Sequence, residues 1–206
     1  MGRWEPDAAG RLREAAMALY TERGFERTTV AEIADRAGVT ARTFFRYFAD
    51  KREVLFAGSE ELERLTVDAL MAAPASTGPM DAIAAALLAA AELLGGRREY
   101  SRRRQAVIAA TPELRERELI KLASLATAFT EALQQRGLAP TVASLAAETG
   151  VAVFRVAFER WVAEPDDPDL ADVMRSTLAD LAGLTTAESD AVSHDLERRS
   201  HNNLII

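Results

Sequence analysis

The chain has 206 residues, of which 49% are hydrophobic and 28% are charged, so its composition is that of a globular protein rather than a disordered one. It contains no cysteine, which excludes disulfide bonds and thiolate chemistry and is typical of a cytoplasmic protein. The first residues, MGRWEP, lack the apolar core of a signal peptide. No stretch is expected to span a membrane, because the longest apolar run, residues 80–94, contains two acidic residues.

The net charge of −7 is distributed unevenly along the chain. Up to Arg52 there are 10 Lys and Arg against 8 Asp and Glu, a net charge of +2. The remainder has 15 against 24, a net charge of −9. This asymmetry favours the approach of the amino-terminal part to a polyanion such as DNA, while the acidic remainder is repelled.

Residues 7–23 form the first predicted helix, because apolar residues recur there with a helical period and Gly24 follows as a terminator. The second predicted helix, residues 30–37, begins after Thr29, whose side-chain oxygen can cap it, and ends before Gly38, which suits a left-handed turn. The apolar residues of the first helix are Ala8, Leu12, Ala15, Ala16, Leu19 and Tyr20, and those of the second are Ile33, Ala34 and Ala37.

A third helix is predicted after Thr40, which can cap it, with an apolar face of Phe44, Phe45 and Phe48. The short corner at Val39 would make this helix project from the fold. Two helices joined in this way have the form of a helix-turn-helix, whose second helix can enter the major groove of DNA. The other positions of the helix carry no acid; they are Ala41, Arg42, Thr43, Arg46 and Tyr47.

The side chains of the third helix suit contacts with DNA. Arg42 can donate two hydrogen bonds to a guanine edge, and Thr43 can contact a thymine methyl group or a phosphate. Tyr47 and Lys51 are placed for backbone phosphates, as are the free N–H groups at the start of the second helix. The alternative is a pair of packed helices in any all-α protein, with Arg42 and Arg46 merely solvated.

A continuous set of motifs makes the DNA-binding interpretation specific. They are Gly24-Phe25, Thr28-Thr29-Val30, Ile33-Ala34, Ala37-Gly38-Val39, Thr43-Phe44, Tyr47-Phe48 and Lys51. Together they resemble the amino-terminal signature of TetR-type bacterial repressors. The resemblance implies that Ala41, Arg42 and Thr43 face base edges, and that Thr29, Tyr47 and Lys51 hold phosphates. The candidate DNA-binding residues are Thr29, Thr40, Ala41, Arg42, Thr43, Arg46, Tyr47 and Lys51.

The chain departs from the family pattern at Phe45. Many relatives have a tyrosine there, so a phosphate contact through that hydroxyl is not expected in this protein. The FFRYF form of the helix is similar to that of an actinobacterial subgroup, which includes regulators linked to mycofactocin gene clusters.

The resemblance implies an all-α fold in two parts. Residues 1–52 would form a three-helix helix-turn-helix DNA-binding domain, and residues 53–206 a helical effector-binding and dimerisation domain. A connector is predicted where the sequence reads PASTGP, at residues 74–79. The helices predicted beyond the third span residues 50–71, 80–94, 97–110, 112–137, 141–163 and 168–183.

The last two of these helices carry a stripe of small and apolar side chains, which lets helices approach closely. In the resembled family this pair meets its copy in a four-helix bundle, so we expect a homodimer that reads a palindromic double-stranded DNA operator. The alternative is that both helices are internal. The stripe consists of Ala143, Ala146, Ala147, Gly150, Val151, Phe154, Phe158 and Trp161, then Leu170, Val173, Met174, Leu178 and Leu181.

An arginine-rich run, residues 97–104, has two interpretations. It is either a solvated helix start with salt bridges to the many acids, or a source of one or two arginines that bind an anionic effector in a cavity. With an apolar lining, such a cavity would suit a fatty acid or an acyl-CoA thioester. The candidate effector-binding residues are Tyr100, Arg104, Phe129, Phe154, Phe158 and Trp161, although an aromatic stripe is also common in protein cores.

No catalytic constellation is apparent. His194 and His201 are the only histidines, and they lie in the tail without a set of acidic partners for a metal ion. We therefore expect no cofactor and no enzymatic activity. In the same tail, residues 185–188 fit a capping box for a short helix. The favoured function is a dimeric transcriptional regulator, a repressor released by a small-molecule effector, and the remaining alternative is a helical scaffold that binds protein.

Overall fold

A computed structural model of the protein describes residues 7–184. Every regular element in this range is helical, which confirms the predicted all-α fold. The short helix predicted at residues 185–188 and the two histidines lie outside the described residues. The elements are α1 (Ala8–Arg23), α2 (Val30–Arg36), α3 (Ala41–Tyr47), a 3₁₀ turn (Glu53–Phe56), α4 (Ser59–Ala72), α5 (Pro79–Gly95), α6 (Arg98–Ala109), α7 (Pro112–Gln135), α8 (Pro140–Ala163) and α9 (170–184).

The first three helices enclose a hydrophobic cluster that we call the head core. The 3₁₀ turn and two body residues, Ile108 and Leu114, complete it, so this core continues beyond residue 52. The domain boundary at residue 52 stays a prediction. The head core consists of Leu12, Ala15, Ala16, Met17, Leu19, Tyr20, Phe25, Ile33, Ala34, Ala37, Phe44, Phe48, Val54, Leu55, Phe56, Ile108 and Leu114.

A second cluster, the body core, is formed by α4, α5, α7, α8 and α9. Helix α5 contributes an almost continuous set of alanine, leucine and isoleucine side chains, as predicted for a buried helix. A Cβ atom at Gly150 of α8 would lie 2.6 Å from Cγ2 of Ile83 in α5. The absence of a side chain at this position therefore allows α5 and α8 to pack in close contact.

The single helix predicted for residues 50–71 is wrong, because the 3₁₀ turn interrupts it and α4 starts only at Ser59. The last three side chains of the turn, Val54, Leu55 and Phe56, are all buried in the head core. Asp50 accepts hydrogen bonds from the N–H groups of Arg52 at 2.8 Å and Glu53 at 3.2 Å. It therefore fixes the start of the turn instead of capping a long helix.

The small-residue stripe of α8 faces the inside of the subunit, where α5 and α7 cover it. The internal alternative is therefore correct for the small residues Ala143, Ala147 and Gly150, which are buried. A different set of apolar side chains on α8 remains exposed. They are Val142, Leu145 and Val156, with exposed fractions of 47%, 65% and 46%.

Helix α8 contradicts the expectation that no stretch of the chain is apolar enough to span a membrane. By length and composition alone it is apolar enough to cross a membrane, and among residues 7–184 it is the one single helix that is. Helices α5 and α6 would qualify only if counted together, and they are bent by 98° at their junction. Because α8 packs along α5 and α7, the body core accounts for its apolar character.

Candidate nucleic-acid interface and body cavity

The start of α2 is held by a reciprocal cap, as the position of Thr29 predicts. Thr29 Oγ1 accepts a hydrogen bond from the Glu32 N–H at 3.3 Å, and the Glu32 carboxylate accepts one from the Thr29 N–H at 2.8 Å. Arg23 pairs with the same carboxylate at 2.7 Å. The hydrogen bonds from Thr29 and the charge of Arg23 lower the pKa of Glu32. The negative charge of Glu32, the one acid in the first turn of α2, is therefore neutralised by Arg23. Thr29 itself stays exposed.

The turn between α2 and α3 is tight because Gly38 adopts a left-handed conformation with φ of 69°. The N–H of Val39 then donates to the Ala34 carbonyl at 2.9 Å. Thr40 caps α3 as predicted, since its Oγ1 accepts a hydrogen bond from the Thr43 N–H at 3.2 Å. The two threonine hydroxyl oxygens lie 3.1 Å apart, so the Thr43 side chain is oriented by its partner.

The two faces of α3 differ in exposure. Phe44 and Phe48, four residues apart, are 0% and 7% exposed and attach the helix to the head core. Phe45 was predicted to share this apolar face, but it is 59% exposed. The prediction is wrong because the next residue along an α-helix lies about 100° further round its axis.

The exposed side of α3, which we call the α3 face, consists of Ala41, Arg42, Phe45, Arg46 and Tyr47. Arg46 donates a hydrogen bond from Nη2 to the Tyr47 hydroxyl at 3.0 Å, and its guanidinium carbon lies 4.8 Å from the ring centroid. Within residues 7–184, Arg42 makes no hydrogen bond or ion pair through its side chain. Its planar set of donors is therefore available to an external acceptor.

Lys51 has a structural role that the sequence did not reveal. Its Nζ donates to the carbonyls of Phe25 at 2.9 Å and Thr28 at 3.0 Å, and it lies 4.2 Å from the Phe25 ring centroid. Tyr20 donates from its hydroxyl to the Lys51 carbonyl at 2.6 Å. Lys51 thus fastens the chain after α3 to the turn before α2, and one ammonium hydrogen remains for a phosphate.

Among the eight candidate DNA-binding residues, only Thr43 and Lys51 are half-buried and the others are exposed.

A cavity of about 380 Å³ lies in the body, lined by the 3₁₀ turn, the start of α4, the end of α5, and parts of α6, α7 and α8. Four of the candidate effector-binding residues line it, namely Tyr100, Arg104, Phe154 and Phe158. The other two, Phe129 and Trp161, belong to the body core instead, with exposed fractions of 0% and 1%. Trp161 is fixed there by a hydrogen bond from Nε1 to the Pro168 carbonyl at 3.0 Å.

Arg104 connects the cavity wall to the 3₁₀ turn. Its Nε donates to the Leu55 carbonyl at 2.7 Å, and its Nη1 lies 3.3 Å from the Glu118 carboxylate. The guanidinium also lies 4.9 Å from the Phe56 ring centroid. Burial lowers the pKa of Arg104 and the charge of Glu118 acts in the opposite direction, but an arginine remains protonated at neutral pH.

Glu53, at the start of the same turn, anchors the turn to α7. Its carboxylate pairs with Arg117 at 2.5 Å and with Lys121 at 3.3 Å. Burial acts to raise the pKa of Glu53, but the hydrogen bond from Arg117 and the charge of Lys121 outweigh it and lower that pKa. The sequence analysis missed this cluster, although two basic residues four positions apart on one helix are a detectable signal.

The arginines of the run at residues 97–104 have different surroundings, and their proposed role in binding an effector stays a prediction. Arg98 and Arg102 donate to the backbone carbonyls of Trp161 and Val162 at the end of α8, so their role is structural. Arg103 is exposed and pairs only loosely with an acid of the same helix. The arginines of the run that line the cavity are Arg97 and Arg104.

Comparisons with known proteins agree with this geometry. The family model for "Bacterial regulatory proteins, tetR family" matches residues 12–57, and the model "MftR C-terminal domain" matches residues 77–185, more than half of the chain. The HTH-type transcriptional regulator TcmR of Streptomyces glaucescens is 38% identical over 78 residues, which cover 38% of this chain and 34% of TcmR. The HTH-type transcriptional repressor KstR2 of Mycobacterium tuberculosis is 41% identical over 63 residues, covering 31% and 30%. The chain thus spans about a third of the length of these relatives.

Solved structures extend the likeness over most of the fold. FadR of Bacillus subtilis, in complex with stearoyl-CoA, superimposes with a TM-score of 0.57 and 20% identity over 82% of this chain and 95% of that one. FadR of Thermus thermophilus, in complex with lauroyl-CoA, gives a TM-score of 0.50 and 25% identity over 83% and 91%. With the helix-turn-helix geometry and the two family models, these matches show that the chain belongs to the TetR family of bacterial transcriptional regulators.

Proposed function

We propose that the protein is a homodimeric repressor that binds a palindromic operator and releases it when an amphipathic anion occupies the body cavity. The observation that carries the proposal is the α3 face, whose side chains are exposed and free of acids while Phe44 and Phe48 attach the helix from behind. The repressor named KstR2 supports repression rather than activation. We infer that the protein acts in the cytoplasm, with no membrane partner, no cofactor and no catalytic role.

Each candidate DNA-binding residue has an assigned role in this proposal. Arg42 reads a base edge in the major groove, beside Ala41 and Thr43. The phosphate contacts come from Thr29, Tyr47 and Lys51, with Thr40 and Arg46 supporting the orientation of their neighbours. The match to the MftR C-terminal domain supports a narrower placement among regulators linked to mycofactocin gene clusters.

We expect Arg42→Ala to weaken operator binding by about 1–3 kcal/mol, or roughly 5- to 150-fold, with much less effect on random duplex. Fluorescence anisotropy at one fixed salt concentration measures both, with the DNA upstream of the protein's own gene as the specific duplex. Tyr47→Phe is the control, because it removes one hydroxyl from an exposed side chain assigned to a phosphate. A phosphate contact carries no sequence information, so its loss weakens both duplexes alike. Equal losses on the two duplexes for Arg42→Ala would refute its base-reading role.

The proposed dimer uses the exposed side of α8 together with α9. Support comes from Val142, Leu145 and Val156, apolar side chains that the subunit itself leaves uncovered. Two heads on a twofold axis can occupy successive major grooves, whereas one head reads too few base pairs for an operator.

Leu145→Glu tests this interface, because a buried unpaired charge opposes association. We expect sedimentation velocity to show monomers for the variant at concentrations where the wild-type protein is dimeric. Leu119→Glu on α7 is a matched control, since the two leucines are 65% and 64% exposed. A monomeric Leu119→Glu protein beside a dimeric Leu145→Glu protein would move the interface to α7.

The proposed effector site is the body cavity, whose volume of about 380 Å³ suits a small molecule. Its wall combines leucine and phenylalanine side chains with four cations, of which Arg104 and Lys121 are paired with Glu118 and Glu53, whereas Arg13 and Arg97 suit the anionic group of an apolar chain. The wall also contains the glutamates Glu60, Glu61, Glu63 and Glu118. Acyl-CoA complexes of the two FadR proteins support a fatty acid or its thioester. Because Arg104 also holds the Leu55 carbonyl, an anion that binds this guanidinium competes with the 3₁₀ turn and changes the position of the head.

A further inference from the structure

Phe45 is an apolar side chain on a helix face that the head core does not cover. Its ring is 59% exposed, although the neighbouring Phe44 is fully buried. The two rings meet edge to face, with centroids 5.4 Å apart and planes inclined at 82°. Phe44 therefore supports the ring of Phe45 from one side, and the exposed side is open to an external partner.

The position of Phe45 on α3 is next to the residues assigned to base edges. Successive residues of an α-helix lie about 100° apart, so Phe45 falls between Ala41 and Arg42 around the helix axis. Ala41 is exposed one turn before Phe45 and extends the same apolar strip by a methyl group. Arg46 is engaged on the other side, because its guanidinium lies 4.8 Å from the Tyr47 ring centroid and donates to the Tyr47 hydroxyl at 3.0 Å. The α3 face thus presents an apolar strip beside the hydrogen-bond donors of Arg42.

The chemistry of a phenyl ring limits what it can contact in a major groove. It has no polar hydrogen and no acceptor oxygen or nitrogen, so it can bond neither to a phosphate nor to the polar edge of a base. The apolar group that base pairs present in this groove is the C5 methyl group of thymine. We propose that Phe45 reads a thymine methyl group in each half of the operator, beside the base read by Arg42. This inference rests on the proposed function and adds to it a specificity-determining residue that acts by hydrophobic contact.

Thr43 is the rival reader of a thymine, because its side chain also carries a methyl group. Its hydroxyl oxygen lies 3.1 Å from that of Thr40, and its backbone N–H donates to the same Thr40 oxygen at 3.2 Å. Thr43 is half-buried, whereas Phe45 exposes most of an aromatic ring. The larger apolar area available to a thymine methyl group therefore belongs to Phe45.

The test uses duplexes that differ only in this methyl group. The full-length wild-type protein selects an operator from a pool of random duplexes, and the operator is then synthesised with uracil in place of thymine at one position of both half-sites at a time. Uracil pairs as thymine does but lacks the C5 methyl group. Fluorescence anisotropy at one fixed salt concentration measures the binding of each duplex. At one position we expect a loss of roughly 15-fold, because each buried methyl group contributes about fourfold and a dimer reads two.

Three variants identify the side chain that makes the contact. Phe45→Ala should bind the thymine operator more weakly than the wild-type protein does, and its affinity should change by about twofold or less when uracil replaces the thymine. Phe45→Tyr keeps the ring and should therefore keep the sensitivity to uracil. Thr43→Ser is the matched control, because it removes the methyl group of the rival residue and keeps the hydroxyl; it should also keep the full sensitivity.

The inference is overturned if the wild-type protein shows this loss at no thymine position, or if Phe45→Ala still shows it. Disappearance of the sensitivity in Thr43→Ser alone would assign the methyl contact to Thr43. These outcomes leave the proposed DNA binding intact, whereas failure of the wild-type protein to select any operator would contradict the proposed function and this inference together. Circular dichroism checks the fold of each variant, and Phe45→Gln, which also removes the ring, repeats the test if Phe45→Ala does not fold.

Discussion

Phe44→Ala is expected to lower the unfolding free energy by about 3–5 kcal/mol, which is the range typical of a fully buried phenylalanine. We also expect this variant to lose operator binding. Phe44 is 0% exposed and lies between Phe45 and Phe48, with ring centroids 5.4 and 5.5 Å away. It is the main attachment of α3 to the head core, because the helix has only 7 residues and buries no other side chain within its bounds. Folded domains have about 5–15 kcal/mol of total stability, so this loss removes a large share of it.

Phe45→Ala is the matched control for this prediction, since it removes the same ring one position along the same helix. Its side chain is 59% exposed, so we expect a stability loss of about 1 kcal/mol or less, mainly from its edge contact with Phe44. Urea unfolding monitored by circular dichroism gives both free energies, and anisotropy with operator DNA gives the binding. A loss for Phe45→Ala as large as that for Phe44→Ala would contradict the exposed placement of this ring.

The helix-turn-helix could be predicted almost completely from sequence, because short-range chemistry determines it. Thr29 and Thr40 bond to backbone groups three residues ahead, and Gly38 supplies a conformation that other residues adopt with difficulty. None of these features depends on distant parts of the chain. The same local patterns located the bounds of α5 to α8 to within a few residues.

The sequence predictions failed where distant packing decides the outcome. Phe45 lies about 100° round the axis of α3 from Phe44, which a broad apolar face could still include, but the head core contacts Phe44 and Phe48 and leaves Phe45 exposed. In the same way, the stripe with Gly150 is compatible with any helix partner, and the structure shows that this partner is Ile83 of the same subunit. The role of Arg104 depends on a carbonyl 49 residues away, which no local pattern encodes.

Substitution of Trp161 is expected to have the other large effect on stability. It also tests whether this residue belongs to the body core or binds the effector. The indole is 1% exposed, its Nε1 donates to the Pro168 carbonyl at 3.0 Å, and Arg98 lies 5.9 Å from the ring centroid. Trp161→Ala should therefore lower the unfolding free energy by about 3–5 kcal/mol, through the cavity left behind and the lost hydrogen bond. Urea unfolding of the wild-type protein and the variant gives the loss of unfolding free energy. The same experiment with laurate present shows how much the ligand stabilises each protein.

Phe158 is the matched comparison, because its ring centroid is 5.6 Å from that of Trp161 but its side chain also lines the body cavity. We expect Phe158→Ala to cost less stability than Trp161→Ala, because Phe158 is only half-buried, and to weaken laurate binding more than the conservative Trp161→Phe change does. Trp161→Phe keeps most of the apolar volume, so a ligand that touches only the cavity wall should bind it nearly as well as wild type. If Trp161→Phe weakened laurate binding at unchanged stability, the indole would be a ligand contact. The ligand would then reach beyond Phe154 and Phe158, the α8 residues that line the cavity.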